Sequence, residues 1–509
     1  MAGPTCLSAD LGAPLPDHVH AVSVSMPKWE HVERYEQGCP DLHAALRSGY
    51  PRFVYHTYVK ALNARYHEVF GLDTSKTLFV LPTLTVAERC RDFIECTFPK
   101  DCVEIKSLCV IDAHAIIVPV EAAACFKSFW QHSGELISSR LAHYILDVLQ
   151  NRQVGEKIEF KMDLTPAHTA LRERIGSLYT TSGSNVNLYP SGMASIFAAF
   201  RLVQKLKQST PGKTVLVGFP YLDTLKMMRR TEWSNGDVLF FPRGDKNDID
   251  AIDALENIHA IFTEFPSNPL LQSTDLPRLA AIAHRHNTVL VVDDTVGSYN
   301  VNVLSETHGH AADLVASSLT KIFCGTGTVM GGSLIANPAS PLFSTIQSLL
   351  ENDSFLFEDD VVALLQASED IHARLARINA TAATIAYRLK HHSMVETIYY
   401  PKYINTSQYE HYNSKAAESD AHGPLLSLVV RGGQTAAKTF YDALTFAKGP
   451  SLGTNFTLSC PYTLLAHYDE LDYVESCGVP RDLIRISIGL EDVEEVWSCL
   501  ERALDKACE

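Results

Sequence analysis

The stretch 259–294, HAIFTEFPSNPLLQSTDLPRLAAIAHRHNTVLVVDD, decides the fold. It opens with the apolar run HAIFTEFP (259–266), crosses a segment of helical length at 275–286, and closes with NTVLVVDD (287–294). Apolar runs that alternate with helices build a mainly parallel sheet covered on both faces. Upstream, KTVLVGFP (213–220) and DVLFFPR (237–243) continue the pattern, and 193–207 supplies another helix. Ligands of such sheets bind beyond the carboxyl ends of the strands.

Further out, the pattern changes in both directions. Downstream, a long helical stretch (361–391) leads to LLSLVVRG (425–432), a helix near 434–445, IRISIGL (484–490) and a last helix. That reads as a smaller α+β domain. Upstream, TLFVLPTL (77–84), SLCVIDAHAIIVPV (107–120) and a helix over 137–151 read as an α/β extension without a glycine-rich phosphate loop. The expected units are an extension at 1–160, a large domain at 161–375 and a small domain at 376–509.

The 509 residues carry 59 Asp+Glu against 43 Lys+Arg, a net charge of −16. Such a balance argues against binding nucleic acid or an anionic membrane, both of which need clustered cations. Twelve cysteines are scattered. Cys90, Cys96, Cys102 and Cys109 have neither zinc-site nor redox-pair spacing, so no metal site is expected. The N-terminus has no basic and apolar leader, and the longest apolar run, from Ala115 to Cys125, is too short to span a bilayer. The expectation is a cytoplasmic protein with reduced thiols.

Four features carry chemistry. Asp293 and Asp294 end the run VLVVDD, where a carboxylate either caps a loop or pairs with a cationic ring nitrogen. Lys321, in SSLTKIFCGTG, sits among hydroxyl residues ahead of a glycine turn. An apolar setting of that kind lowers a lysine pKa and suits a Schiff-base amine. Ser191-Gly192-Met193 opens a helix, where backbone N–H groups and the helix dipole favour phosphate. Arg485, inside IRISIGL, is either a structural charge or a clamp for a substrate carboxylate. Together these are the requirements of a pyridoxal phosphate enzyme acting on an amino acid.

The sequence resembles the Cys/Met-metabolism family of pyridoxal phosphate enzymes, the trans-sulfuration enzymes, in its fungal cystathionine γ-synthase-like branch. FPSNPLL, VVDDT, ADLVASSLTK, SLGTNFTLSCPYTLLAHY and LIRISIGLED carry the likeness, with AVSVSMPKW, GYPRF and FWQHSGELISSR marking the fungal extension. The resemblance implies an aspartate aminotransferase-like fold of type I with a mainly parallel, seven-stranded sheet. It implies pyridoxal 5'-phosphate held as a Schiff base by Lys321, with Asp293 on the pyridine nitrogen and Tyr221 stacked on the ring. Gly192, Met193, Ser318 and Thr320 would form the phosphate cup. Asn268, Ser451 and Arg485 would lie near the substrate carboxylate, and Lys321 and Tyr221 would move protons.

The family also carries a Tyr-x-Arg segment ahead of the large domain that reaches a neighbour's cofactor phosphate. In that position this chain has Arg152-Gln153-Val154-Gly155-Glu156-Lys157, with no tyrosine and with Glu156 in the arginine's place. The implied reaction is γ-replacement on an O-acyl-L-homoserine with cysteine as nucleophile. The alternatives are a secondary-metabolite relative that joins an aldehyde- or ketone-derived carbon at Cγ, and an inactive paralogue serving as a binding subunit. A homodimer or homotetramer is implied.

Overall fold

The computed structural model describes residues 10–151, 165–206, 212–234, 236–297, 299–304, 312–350, 355–414 and 420–509. The segment 152–157 lies outside them. The strands, in chain order, are β1 (Pro14–Leu15), β2 (Ser23–Val24), β3 (Lys76–Leu81), β4 (Glu104–Ser107), β5 (His114–Pro119), β6 (Val186–Tyr189), β7 (Lys213–Val217), β8 (Asp237–Phe241), β9 (Ile258–Glu264), β10 (Val289–Asp293), β11 (Leu314–Ser318), β12 (Gly332–Ala336), β13 (Val395–Tyr399), β14 (Leu425–Val430), β15 (Ala447–Lys448), β16 (Leu458–Pro461) and β17 (Ile484–Ser487).

The central sheet has seven strands in the order β6-β12-β11-β10-β9-β7-β8. Its pairs are parallel except those made by β12, which runs antiparallel to β11 and β6. The deciding stretch forms β9, a helix at Leu276–Arg285, and β10, as its pattern predicts. Asp275 starts that helix by accepting from the Arg278 N–H at 3.1 Å, with Pro277 in the first turn. Leu276, Leu279, Ala280, Ile282 and Ala283 form its buried face. Each fully buried leucine or isoleucine there contributes roughly 2 kcal/mol. β10 is buried along Val289–Val292 and opens only at Asp293, so the strand delivers a carboxyl to its exit.

The expected helix over 361–391 is two helices, Glu358–Ala367 and Ile371–Lys390. Ser368 ends the first: its hydroxyl donates to the Leu364 carbonyl at 2.7 Å, a local bond that competes with helix continuation. The second sheet, β13-β14-β17-β16-β15, is antiparallel apart from the β15–β16 pair.

The extension has its own antiparallel sheet, β3-β5-β4. Its core closes over Met330 and Phe357, which follow it by more than 180 residues. Residues 26–32 pack elsewhere. Met26, Trp29 and Val32 lie in the core of the β13–β17 sheet. The Tyr441 hydroxyl donates to the Met26 carbonyl at 2.9 Å, and the Trp29 N–H donates to Asp442 at 2.7 Å. The N-terminal region is thus divided between both halves of the molecule. No helix among the described residues is long and apolar enough to cross a membrane.

Candidate active site

The carboxyl ends of β9, β10 and β11 open into a cavity of about 720 Å³. Lys321 lies just beyond β11, inside a turn at Leu319–Phe323, with non-helical φ −88° and ψ −120°. Its Nζ donates to the Ser451 hydroxyl at 2.8 Å. Burial, then the nearby Arg485 and Arg52 charges, hold the amine well below the ordinary lysine range. Two features brace the turn. The guanidinium of buried Arg374 donates to the Ile322 and Phe323 carbonyls, each at 2.7 Å. Gly453, at φ +73°, packs so closely that a Cβ there would meet the Ile322 nitrogen at 2.7 Å.

Asp293 pairs in register with Glu264 across β10 and β9. Burial raises the Asp293 pKa against a hydrogen bond from Thr295 N–H at 2.9 Å. Burial and the Asp293 charge push Glu264 up to about 8. Glu264 also accepts from the backbone N–H of Tyr221 at 2.5 Å and of Asn268 at 2.9 Å. One carboxyl therefore fixes two segments that line the cavity.

Arg485, on β17, is 6% exposed, yet among the described residues it makes no ion pair with a carboxylate. Its Nη1 donates to Asn268 Oδ1 at 2.9 Å and its Nη2 to the Ser451 carbonyl at 2.7 Å. Both acceptors are neutral. A buried cation held by neutral dipoles is suited to a carboxylate brought by a ligand. Ser451 bridges Lys321 and Arg485 from φ +90°, a conformation that costs a non-glycine residue about 1–3 kcal/mol.

The helix Gly192–Leu206 begins at the same opening, with Gly192 and Met193 on the cavity wall. Gly192 is needed there, since a Cβ would stand 2.6 Å from that of Ser318. The buried Ser318 hydroxyl has no hydrogen-bond partner among the described residues. An orphan hydroxyl beside a helix N-terminus fits a phosphate group. Thr320 is not on the cavity wall: its hydroxyl is engaged by Gly331, donating at 3.3 Å and accepting at 3.1 Å. Tyr221 reaches the cavity from the start of the helix Leu222–Met228.

The extension contributes residues that the sequence reading missed. Tyr50 and Arg52 line the cavity. The Lys321 Nζ lies 4.3 Å from the centre of the Tyr50 ring. Arg52 donates to the Tyr221 hydroxyl and to Asp223. The signal was present in GYPRF, where Tyr50-Pro51-Arg52 is itself a Tyr-x-Arg triplet, about a hundred residues before the position the family pattern indicates. Glu264 was missed because a strand-end glutamate has no local mark until its register with Asp293 is known.

A buried lysine amine, a strand-end carboxyl, an orphan hydroxyl at a helix N-terminus and a guanidinium held by neutral acceptors, set beyond a mainly parallel sheet, fit a pyridoxal-phosphate-dependent enzyme of fold type I. The match is then specific. Residues 132–505 match the Cys/Met metabolism PLP-dependent enzyme family, and the chain belongs to it. Residues 58–138 match the N-terminal domain of fungal trans-sulfuration enzymes. The chain is 34% identical to a cystathionine γ-synthase of Neurospora crassa, over 98% of each chain. It is 31% identical to the cystathionine γ-synthase-like enzyme iboG2 of Amanita muscaria, over 99% of this chain and 97% of that one. The fold is that of the cystathionine γ-synthase of Xanthomonas oryzae pv. oryzae, solved with cystathionine (TM-score 0.59, 23% identity, 70% of this chain and 89% of that one). The protein is a cystathionine γ-synthase-like enzyme whose cofactor is pyridoxal phosphate.

Proposed function

We propose that the enzyme catalyses γ-replacement on an O-acyl-L-homoserine, with cysteine as the nucleophile. The observation that carries this reading is the chain Lys321–Ser451–Arg485–Asn268, which joins a buried amine to a buried guanidinium that has no carboxylate partner among the described residues. When bound, pyridoxal phosphate supplies the electron sink that lets an amino acid lose its Cα proton. Gly192, Met193 and Ser318 would hold its phosphate, Asp293 its ring nitrogen, Tyr221 its face and Lys321 its aldehyde carbon.

Arg485 then receives the substrate carboxylate in a two-point grip, which fixes the Cα–H direction relative to Lys321. Lys321, whose pKa burial holds well below the ordinary lysine range, accepts that proton and can return it. Ser451 orients Nζ for both transfers. Burial raises both Glu264 and Asp293, and the Asp293 charge raises Glu264 further, so the pair favours one shared negative charge over two. Loss of the acyloxy group from Cγ and addition of the thiolate complete the replacement.

The test is incubation with O-acetyl-L-homoserine and cysteine, or with the ester and a small aldehyde, followed by mass spectrometry. Cystathionine is the expected product. An adduct formed only with the aldehyde would replace this reading by the carbon-nucleophile one. We also infer a cytoplasmic homo-oligomer, to be checked by fractionation and light scattering.

A further inference from the structure

We propose that Tyr50 and Arg52 complete the cofactor site from within the same chain, and that Asp223 is the residue that positions Arg52. This inference rests on reading the cavity as the cofactor site. Arg52 and Asp223 are 2% and 0% exposed, lie 171 residues apart in sequence, and meet at 2.7 Å. A charge pair removed from water so fully is retained at a cost in desolvation, and stability alone is weak grounds for one. Arg52 stands on the wall of the cavity, and Asp223 is buried behind it.

Its geometry is directed inward. Asp223 takes one guanidinium nitrogen of Arg52, which also donates to the Gln131 carbonyl at 2.5 Å. The other terminal nitrogen is left to hold the Tyr221 hydroxyl. The Arg52 Nε is buried with no hydrogen-bond partner. The Arg52 guanidinium carbon stands 5.3 Å from the Tyr221 ring centre and 5.6 Å from that of Tyr50, whose ring in turn faces Lys321. Gln131 adds its amide to Asp223 at 3.0 Å, so the helix Ala123–Ser133 of the extension shares the anchor. The arrangement is a clamp: one carboxylate fixes one guanidinium, which fixes two aromatic rings around the reactive amine. Each element of it comes from one chain.

The clamp can be removed without leaving an orphan charge by the double variant Arg52→Met/Asp223→Asn. At least a tenfold loss of cofactor affinity is expected, read from the yellow absorbance during titration, with an unchanged far-UV spectrum. Asp223→Asn alone should give an intermediate loss, and Arg52→Lys in the wild-type background should keep part of the affinity. The origin of the clamp is tested by co-expressing differently tagged Lys321→Ala and Arg52→Met chains, so that the site keeping Lys321 also keeps Asp223. The hetero-oligomer is then examined at a cofactor level that saturates only the wild type. A site built within one chain gives no band beyond the parents, and a cofactor-loaded wild-type monomer supports the same conclusion. Recovery of about half the wild-type band would overturn it, because it requires Arg52 from the neighbour. Unchanged affinity in the double variant would overturn the clamp itself. A wild type that never turns yellow would overturn the cofactor reading and this inference together, an outcome separable from the other two.

Discussion

At the scale of single residues, the cavity places charges where their partners are missing or shared. Lys321→Ala should abolish the yellow band and leave the fold intact, checked by absorbance and circular dichroism. Arg485→Lys keeps the charge but loses the planar fork, so KM for the ester should rise at least tenfold, or about 1.4 kcal/mol, with a smaller change in kcat. Asp294 is a different case. It is buried behind Asp293, accepts from the Tyr179 hydroxyl at 2.6 Å, and is pushed up by burial to about 7. The folded chain therefore keeps a proton that the unfolded chain releases near its ordinary value. The stability tied to that proton is complete below about pH 4 and is lost as pH rises towards 7. Asp294→Asn should thus stabilise the protein by about 2 kcal/mol more near pH 8 than near pH 5.5, at ~1.4 kcal/mol per pKa unit. Equal gains in melting temperature at both pH values would contradict this. Lys321, Asp293 and Arg485 were legible in the sequence because each is a charged residue in an apolar or hydroxyl setting, inside or just beyond a strand-like run. Arg52 was marked only by its place in the Tyr-x-Arg triplet of GYPRF, and Asp223 by nothing local, because the two meet only through the fold.

At the scale of elements, the turn carrying Lys321 closes on its own bonds, Cys324 N–H to the Leu319 carbonyl at 3.0 Å and Gly325 N–H to the Lys321 carbonyl at 2.8 Å, and is braced from outside by Arg374 and Gly453. Gly453→Ala adds left-handed backbone strain to an overlap with the Lys321–Ile322 backbone. A loss of about 2 kcal/mol or more is expected in chemical denaturation, with weaker cofactor retention. Normal retention despite lower stability would show that the turn does not depend on this packing. The strands of the central sheet were readable from apolar runs buried on both faces. The break at Ser368 was not, because Val361 to Lys390 keeps helical composition throughout and the interruption is a hydroxyl-to-carbonyl bond. Thr320 lies in the quoted motif yet bonds to Gly331, which proximity in sequence could not separate from a role at the wall.

At the scale of the whole molecule, the N-terminal region is structural mortar as well as cavity wall. Its sheet closes over Met330 and Phe357, and Met26, Trp29 and Val32 enter the core of the β13–β17 sheet. A chain beginning at Thr165 would expose both sets of apolar surface. Such a truncation should aggregate or bind a hydrophobic dye strongly, measured by gel filtration and dye fluorescence; a monodisperse, cofactor-loaded product would refute the dependence. The charge and length could not reveal this division, since the same composition serves a detachable extension.

The cavity wall joins Tyr50 to Arg485, and on the ribosome that span becomes a schedule. At 5–20 residues per second, the aromatic wall emerges on the order of a minute before the guanidinium that faces it. The β3–β5 sheet has its local partners early, whereas the catalytic cavity closes only when the last strand arrives. Cofactor capture is therefore a late checkpoint in biogenesis: a nascent chain stalled before β17 should remain colourless, and yellow colour should mark a finished molecule.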